Sequence, residues 1–158
     1  MLANDRPDQG VLGHVLCEHR DLHAALSAVR SLLREPERGD GTAAERLKGE
    51  VIHLREHVSS HFHQEEQGGF MEESAVRLPR LARRVREVLA EHPLLLAELD
   101  GFVAESRALS DKPLAGRQGT WKRLAARFEA FSRRLLDHER QENAVVQEGY
   151  NEDFGLVE

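Results

Sequence analysis

The sequence predicts an all-α fold, an antiparallel up-down-up-down four-helix bundle, on three observations. Four long stretches repeat apolar residues at alternating steps of three and four, the spacing that turns one helix face toward a core. Glycine and proline cluster between those stretches. Six polar side chains replace apolar ones on the four seams, at depths that match when the helices run alternately up and down.

The first helix carries the seam Val15, His19, Leu22, Leu26, Val29 and Leu33. It is expected to end near Pro36, ahead of a loop through Glu37, Arg38, Gly39, Asp40 and Gly41. Thr42 suits the N-cap of the second helix, because its hydroxyl can accept a free backbone amide. That helix reads Leu47, Val51, Leu54, Val58, His61 and Glu65, and the connection after it contains Gly68, Gly69 and Pro79. The third seam is Leu81, Val85, Val88, His92, Leu95, Leu99 and Phe102. A connection from about Ser110 to Gly119, broken by Pro113, Gly116 and Gly119, leads to the fourth: Trp121, Leu124, Phe128, Phe131, Leu135, His138, Glu142 and Val145. Residues 1–10 are expected to form an arm, 11–149 the bundle with Gly149 as its closing cap, and 150–158 a tail in which Tyr150, Phe154 and Leu156 fold back or stay loose.

Burying an imidazole or a carboxylate is costly unless something bonds it. Depth is therefore informative. His19 and His61 lie nearly equally far from mid-loop Gly39, and His92 and His138 nearly equally far from Leu114. At a rise of about 1.5 Å per residue the levels agree within a turn. The chain also reads as two related hairpins: Glu18-His19 with His61-x-x-x-Glu65, then Glu91-His92 with His138-x-x-x-Glu142. The i, i+4 spacing stacks both side chains on one helix face, so one helix can offer a terminal nitrogen and a bridging oxygen to the same pair of metal ions. His19, His61, Glu65, His92, His138 and Glu142 are accordingly the candidate metal ligands.

At 158 residues the chain has the size of one ordinary domain. Its apolar runs fall far short of the ~20 residues of a membrane span, and MLANDRPDQG lacks the basic-then-apolar order of a signal peptide. No membrane partner and a cytoplasmic location are expected. One cysteine, Cys17, excludes an intrachain disulfide framework and a sulfur-ligated cluster. The net charge of −6 and few aromatics argue against nucleic acid, despite the run Arg80, Arg83, Arg84 and Arg86. Walker-type phosphate loops, G-x-S-x-G elbows and Cys-x-x-Cys pairs are missing.

The string His61-Phe62-His63-Gln64-Glu65-Glu66, the two Glu-His pairs and His138-x-x-x-Glu142 resemble the hemerythrin-like, or HHE cation-binding, family, over roughly residues 11 to 149. The resemblance implies an antiparallel four-helix bundle around a non-haem di-iron centre. It makes His19, His61, His92 and His138 terminal iron ligands, with Glu65 and Glu142 bridging. Oxygen-carrying members have a second histidine one turn further along the third helix, where this chain has Leu96. The remaining set is closer to the di-iron domain of iron-sulfur-cluster repair proteins, although the cysteine-containing N-terminal segment of those proteins is lacking.

Mixed imidazole and carboxylate donors favour two iron ions, with manganese or zinc as alternatives. Two histidines, two shared carboxylates and an oxo or hydroxo bridge would leave each iron one coordination position. The function expected is binding or sensing of oxygen, nitric oxide, peroxide or iron. The alternatives are a redox enzyme, peroxidase-like or nitric-oxide-reducing and fed by an electron donor, or an iron donor in cluster repair. His14, His53 and His63 lie off the seams, and Asp137, Glu139 and Glu91 read as surface charges. His23 and His57, each one turn from a proposed ligand, read as flanking, and Glu66 as a residue that a small rotation would bring inward.

Overall fold

A computed structural model describes residues 7–35 and 42–151. Among these the chain is helical throughout, without a strand. The helices are α1 (Pro7–Arg34), α2 (Thr42–Gly68), α3 (Phe70–Arg77), α4 (Ala82–Asp111) and α5 (Arg117–Asn151), with 3-10 turns at Pro79–Leu81 and Leu114–Gly116. Four of them correspond to the four seams. The loop expected through residues 37–41 lies outside the described residues, as do residues 1–6 and the tail beyond Asn151.

The seams face inward as their spacing requires. α1 packs on α2 and α5, and α4 packs on the same two helices from the other side. A large apolar cluster runs from Leu22 to Leu33, from Ala44 to Phe62, from Leu95 to Leu109 and from Trp121 to Leu135, with Phe102, Phe128 and Phe131 in mutual edge or tilted contact. Polar side chains close its far end. The Trp121 indole N–H donates to the carbonyls of Leu33 (3.2 Å) and Glu35 (3.1 Å), where α1 runs out of helical partners. The buried Arg117 guanidinium donates to the carbonyls of Lys112 and Ser110 at the end of α4. Free carbonyls at the ends of α1 and α4 are thus bonded by side chains of α5.

Four features depart from the sequence expectations. First, the second connection contains a helix of its own, α3, which lies against α5 and α4. Gly69 makes the turn into it at φ 72°, a left-handed conformation that a residue with a Cβ adopts only at a cost, and its carbonyl accepts the Glu73 amide. Second, α1 already begins at Pro7, inside the expected arm; a proline suits the first helical turn because its missing N–H would have had no partner there. Third, α5 begins before Gly119 and continues past Gly149, so neither glycine ends a helix and Tyr150 is a buried helical residue. Fourth, Pro93 sits inside α4 on its exposed side, directly after His92, and withholds the amide that would have bonded the Leu89 carbonyl.

α3 covers a second, smaller apolar cluster of Met71, Leu81, Val85, Val88, Val145, Val146 and Tyr150. It can sit that close to α5 because Gly149 has no side chain. A Cβ there would meet the Ser74 Cα at 2.7 Å and its Cβ at 2.5 Å. Ser74 is fully buried at this crossing and spends its hydroxyl on the Phe70 carbonyl. Arg77 stacks its guanidinium over the Tyr150 ring, 4.2 Å from the centroid. Gly149→Ala should therefore push α3 off α5 and lower stability by about 1–3 kcal/mol in a denaturant melt, although alanine is the better helix former. A gain in stability would mean that α3 is not held at this crossing.

Candidate metal centre

Between the two apolar clusters lies a layer of polar side chains. On α4, Val88 belongs to the small cluster, Leu95 to the large one, and His92 stands between them. On α5, His138 and Glu142 separate Leu135 from Val145 in the same way. His19 on α1 and His61 and Glu65 on α2 complete the layer, and all six residues are at most 3% exposed. The six residues that sequence spacing marks are thus brought together at one level.

They form two groups of potential metal donors that share both carboxylates: His19, His61, Glu65 and Glu142 in one, and Glu65, His92, His138 and Glu142 in the other. The Glu142 carboxylate splits between them. Its Oε2 lies 3.1 Å from His19 Nε2 and 3.8 Å from His61 Nε2, while its Oε1 contacts His138 Nε2 and lies 3.4 Å from His92 Nε2. Glu65 does the same, with Oε1 against His61 Nε2 and Oε2 3.4 Å from His92 Nε2. The His19 and His61 rings meet edge to face with centroids 5.0 Å apart, and so do those of His92 and His138.

Several of these contacts are close without being aligned as hydrogen bonds. Both Glu65 oxygens, His61 Nε2 and His138 Nε2 are buried with no hydrogen-bond partner. Orphaned buried donors and acceptors are rare and need an explanation. A cation in each group would bond the facing lone pairs, and imidazole nitrogen with carboxylate oxygen is a donor set that fits one.

Without a cation, protons take its place. Burial disfavours an imidazolium at His61, but Glu142 and Glu65 outweigh it and push the ring up to about 10. His92 is likewise raised to about 10, by Glu142, Glu65 and Glu66 against burial. His138 is raised by Glu142, again against burial. Burial would raise Glu142, but the four histidines that surround it hold its carboxyl well below the usual carboxylate range.

A second layer holds the rings from outside. His92 Nδ1 lies 2.9 Å from Glu66 Oε1, and His138 Nδ1 lies 3.3 Å from Glu91 Oε2. His61 Nδ1 faces Glu18 Oε2 at a longer 3.8 Å. A carboxylate on the outer nitrogen fixes the tautomer and orients the inner nitrogen toward a metal. Glu91 is therefore half-buried and engaged on His138, against the expectation of a surface charge, and Glu66 stays outside both groups of potential donors. Phe62 stacks on the His92 ring at 3.9 Å between centroids. Glu139, also expected at the surface, is buried and paired with His23; burial pushes its carboxyl up against the pull of His19 and His23. Only the Glu-His pairing in sequence hinted at these partners, and it did not say that each glutamate serves the histidine of the next helix.

The other histidines stand apart. His53 and His63 are exposed, His57 is half-buried with an unpartnered Nε2 and belongs to neither group, and the His14 side chain lies outside the described residues. Arg80 and Arg84 of the basic run both pair with Glu148, and Arg83 pairs with Glu87. A small crevice of about 10 Å³ beside the layer is lined by Val15, Glu18, His61, Gln64, Glu65 and Phe70. Among the described residues no helix is long and apolar enough to cross a membrane. No family model, no curated protein and no solved structure matches the chain.

Because His61 and His92 bind their protons more tightly in the metal-free fold than at the ordinary 6.5, that stabilisation is complete below about pH 6.5 and is lost as pH rises through about 10. The lowered Glu142 works in the opposite sense, and its contribution disappears on acidification. Urea midpoints of chelator-treated protein should therefore fall between about pH 7 and pH 10, and saturating metal, which replaces the protons, should flatten that fall. A midpoint that rises over this range would contradict the protonated layer.

Proposed function

We propose that the four long helices form an antiparallel up-down-up-down bundle whose polar layer holds two metal ions, and that the protein is a hemerythrin-like non-haem di-iron protein. It binds or senses a small ligand: oxygen, nitric oxide or peroxide. The observation that carries this is the sharing of Glu65 and Glu142, each with one oxygen turned to either group. Two carboxylates common to two pairs of imidazoles suit a bridged pair of cations better than two independent sites. Support for the topology comes from contacts that join an early residue of one helix to a late residue of a neighbouring one, as in Trp121 with Leu33, Glu45 with Ser110 and Arg84 with Glu148.

Iron fits a mixed nitrogen and oxygen donor set, with manganese and zinc as competitors. When bound, an iron pair would supply reversible redox change and an open position for a diatomic molecule or peroxide. The chain's own residues do the rest. His19, His61, His92 and His138 would hold the ions, Glu65 and Glu142 would join them, and Glu66 and Glu91 fix the rings of His92 and His138. Phe62 and the flanking apolar clusters keep bulk water out of the layer, and the crevice beside His61, about 10 Å³, has room for no more than about one water-sized molecule.

Protein purified under iron-replete conditions should contain two metal equivalents per chain. Glu65→Ala and Glu142→Ala should each lose at least one equivalent, and His53→Ala should keep both; equal loss in all three would sink the ligand assignment. Reduced protein mixed in turn with oxygen, nitric oxide and peroxide should give reversible optical changes. Sustained turnover instead would make it a redox enzyme.

A further inference from the structure

The polar layer has an internal two-fold relation that its outer partners break in two places: Phe62, stacked on His92, corresponds to Glu139, paired with His23, and Glu66 corresponds to Asn143. His61, Glu65 and Glu66 on α2 correspond to His138, Glu142 and Asn143 on α5, and Glu18-His19 on α1 corresponds to Glu91-His92 on α4. The contacts obey the relation. Glu18 faces His61 as Glu91 faces His138, and Glu142 faces His19 as Glu65 faces His92. The helix pair α2 and α4 brings Glu66 onto His92 Nδ1, so the matching pair, α5 and α1, should bring residue 143 onto His19 Nδ1.

Residue 143 is Asn, not Glu, and both ends of the matching contact are orphaned. His19 Nδ1 is buried without a partner, and so is Asn143 Oδ1. When His19 Nε2 binds a metal, the ring proton must sit on Nδ1, which then needs an acceptor. The Asn143 amide oxygen is the acceptor that the symmetry provides, and unlike Glu66 it is neutral.

We infer that Asn143 backs His19 as Glu66 backs His92, and that this amide-for-carboxylate exchange makes the two metal positions unequal, the His92/His138 position filling first and the His19/His61 position second. The inference rests on the two-metal reading above. Both rings of the first position have a carboxylate on Nδ1 within 3.3 Å, whereas in the second the only carboxylate facing an Nδ1 is Glu18, 3.8 Å from His61, and the buried Glu139 nearby is paired with His23 instead. Rings fixed in advance bind with less loss of freedom, and a carboxylate makes the inner nitrogen more basic.

The test is calorimetric titration of metal-free, full-length protein with zinc, which takes the same donors without redox change. Two binding steps are expected, with affinities at least about tenfold apart. Asn143→Asp should tighten the weaker step and draw the two together. Asn143→Leu should weaken that step alone by about ten- to a hundredfold. Glu66→Gln should weaken the stronger step, and circular dichroism of each variant checks that the helices persist. Two ions bound in one step of equal affinity, or an Asn143→Asp protein whose weaker step does not move, would overturn the inequality while leaving the paired-metal site standing. Failure to bind zinc at all would overturn both.

Discussion

The structure depends on the neutralisation of one buried layer. Four imidazoles and two carboxylates lie where four helices would otherwise place leucines, closed off on either side by apolar side chains. Left as separate charges, they would oppose folding by several kcal/mol each. The arrangement answers this by making every ring face a carboxylate and every carboxylate face more than one ring. Protons can balance such a layer, as the raised His61 and His92 and the lowered Glu142 indicate, but they leave buried atoms without aligned partners. Divalent cations would satisfy the same atoms more fully, so the cost of burying the layer becomes the driving force for filling it.

Much of this was legible in the sequence because helix periodicity is a strong signal. A residue's place on its own seam decides whether it faces inward, and the inward placement of the six polar residues could be read from spacing alone. What spacing does not report is which neighbouring helix a residue meets. Glu66, Glu91 and Glu139 each lie one position from a seam residue, on the shoulder of a helix, and whether such a shoulder is solvent or interface depends on how helices are arranged around the bundle. Counting along one chain reads Glu91 and Glu139 as surface charge and leaves Glu66 to a small rotation of its helix. The internal repeat carried the missing information, since Glu18 and Glu91 occupy equivalent places and serve equivalent rings.

Glycine and proline were the less reliable guides. Pro93 is tolerated within α4 on the exposed side, and Gly149 lies in mid-helix where two backbones cross. In both places tertiary context outweighs local preference. The short α3 has no sequence signal for the same reason: eight residues with only Met71 and Ser74 fully inward have no long seam to count, and the helix is held by what it covers.

The crossing of Ser74 and Gly149 ties two distant codons together. Bulk added to one side has to be removed from the other, and Ser74 has only its Cβ and hydroxyl to give up. Across descendants of this sequence the two positions should therefore drift as a couple, small always opposite small, whatever happens to the exposed residues around them.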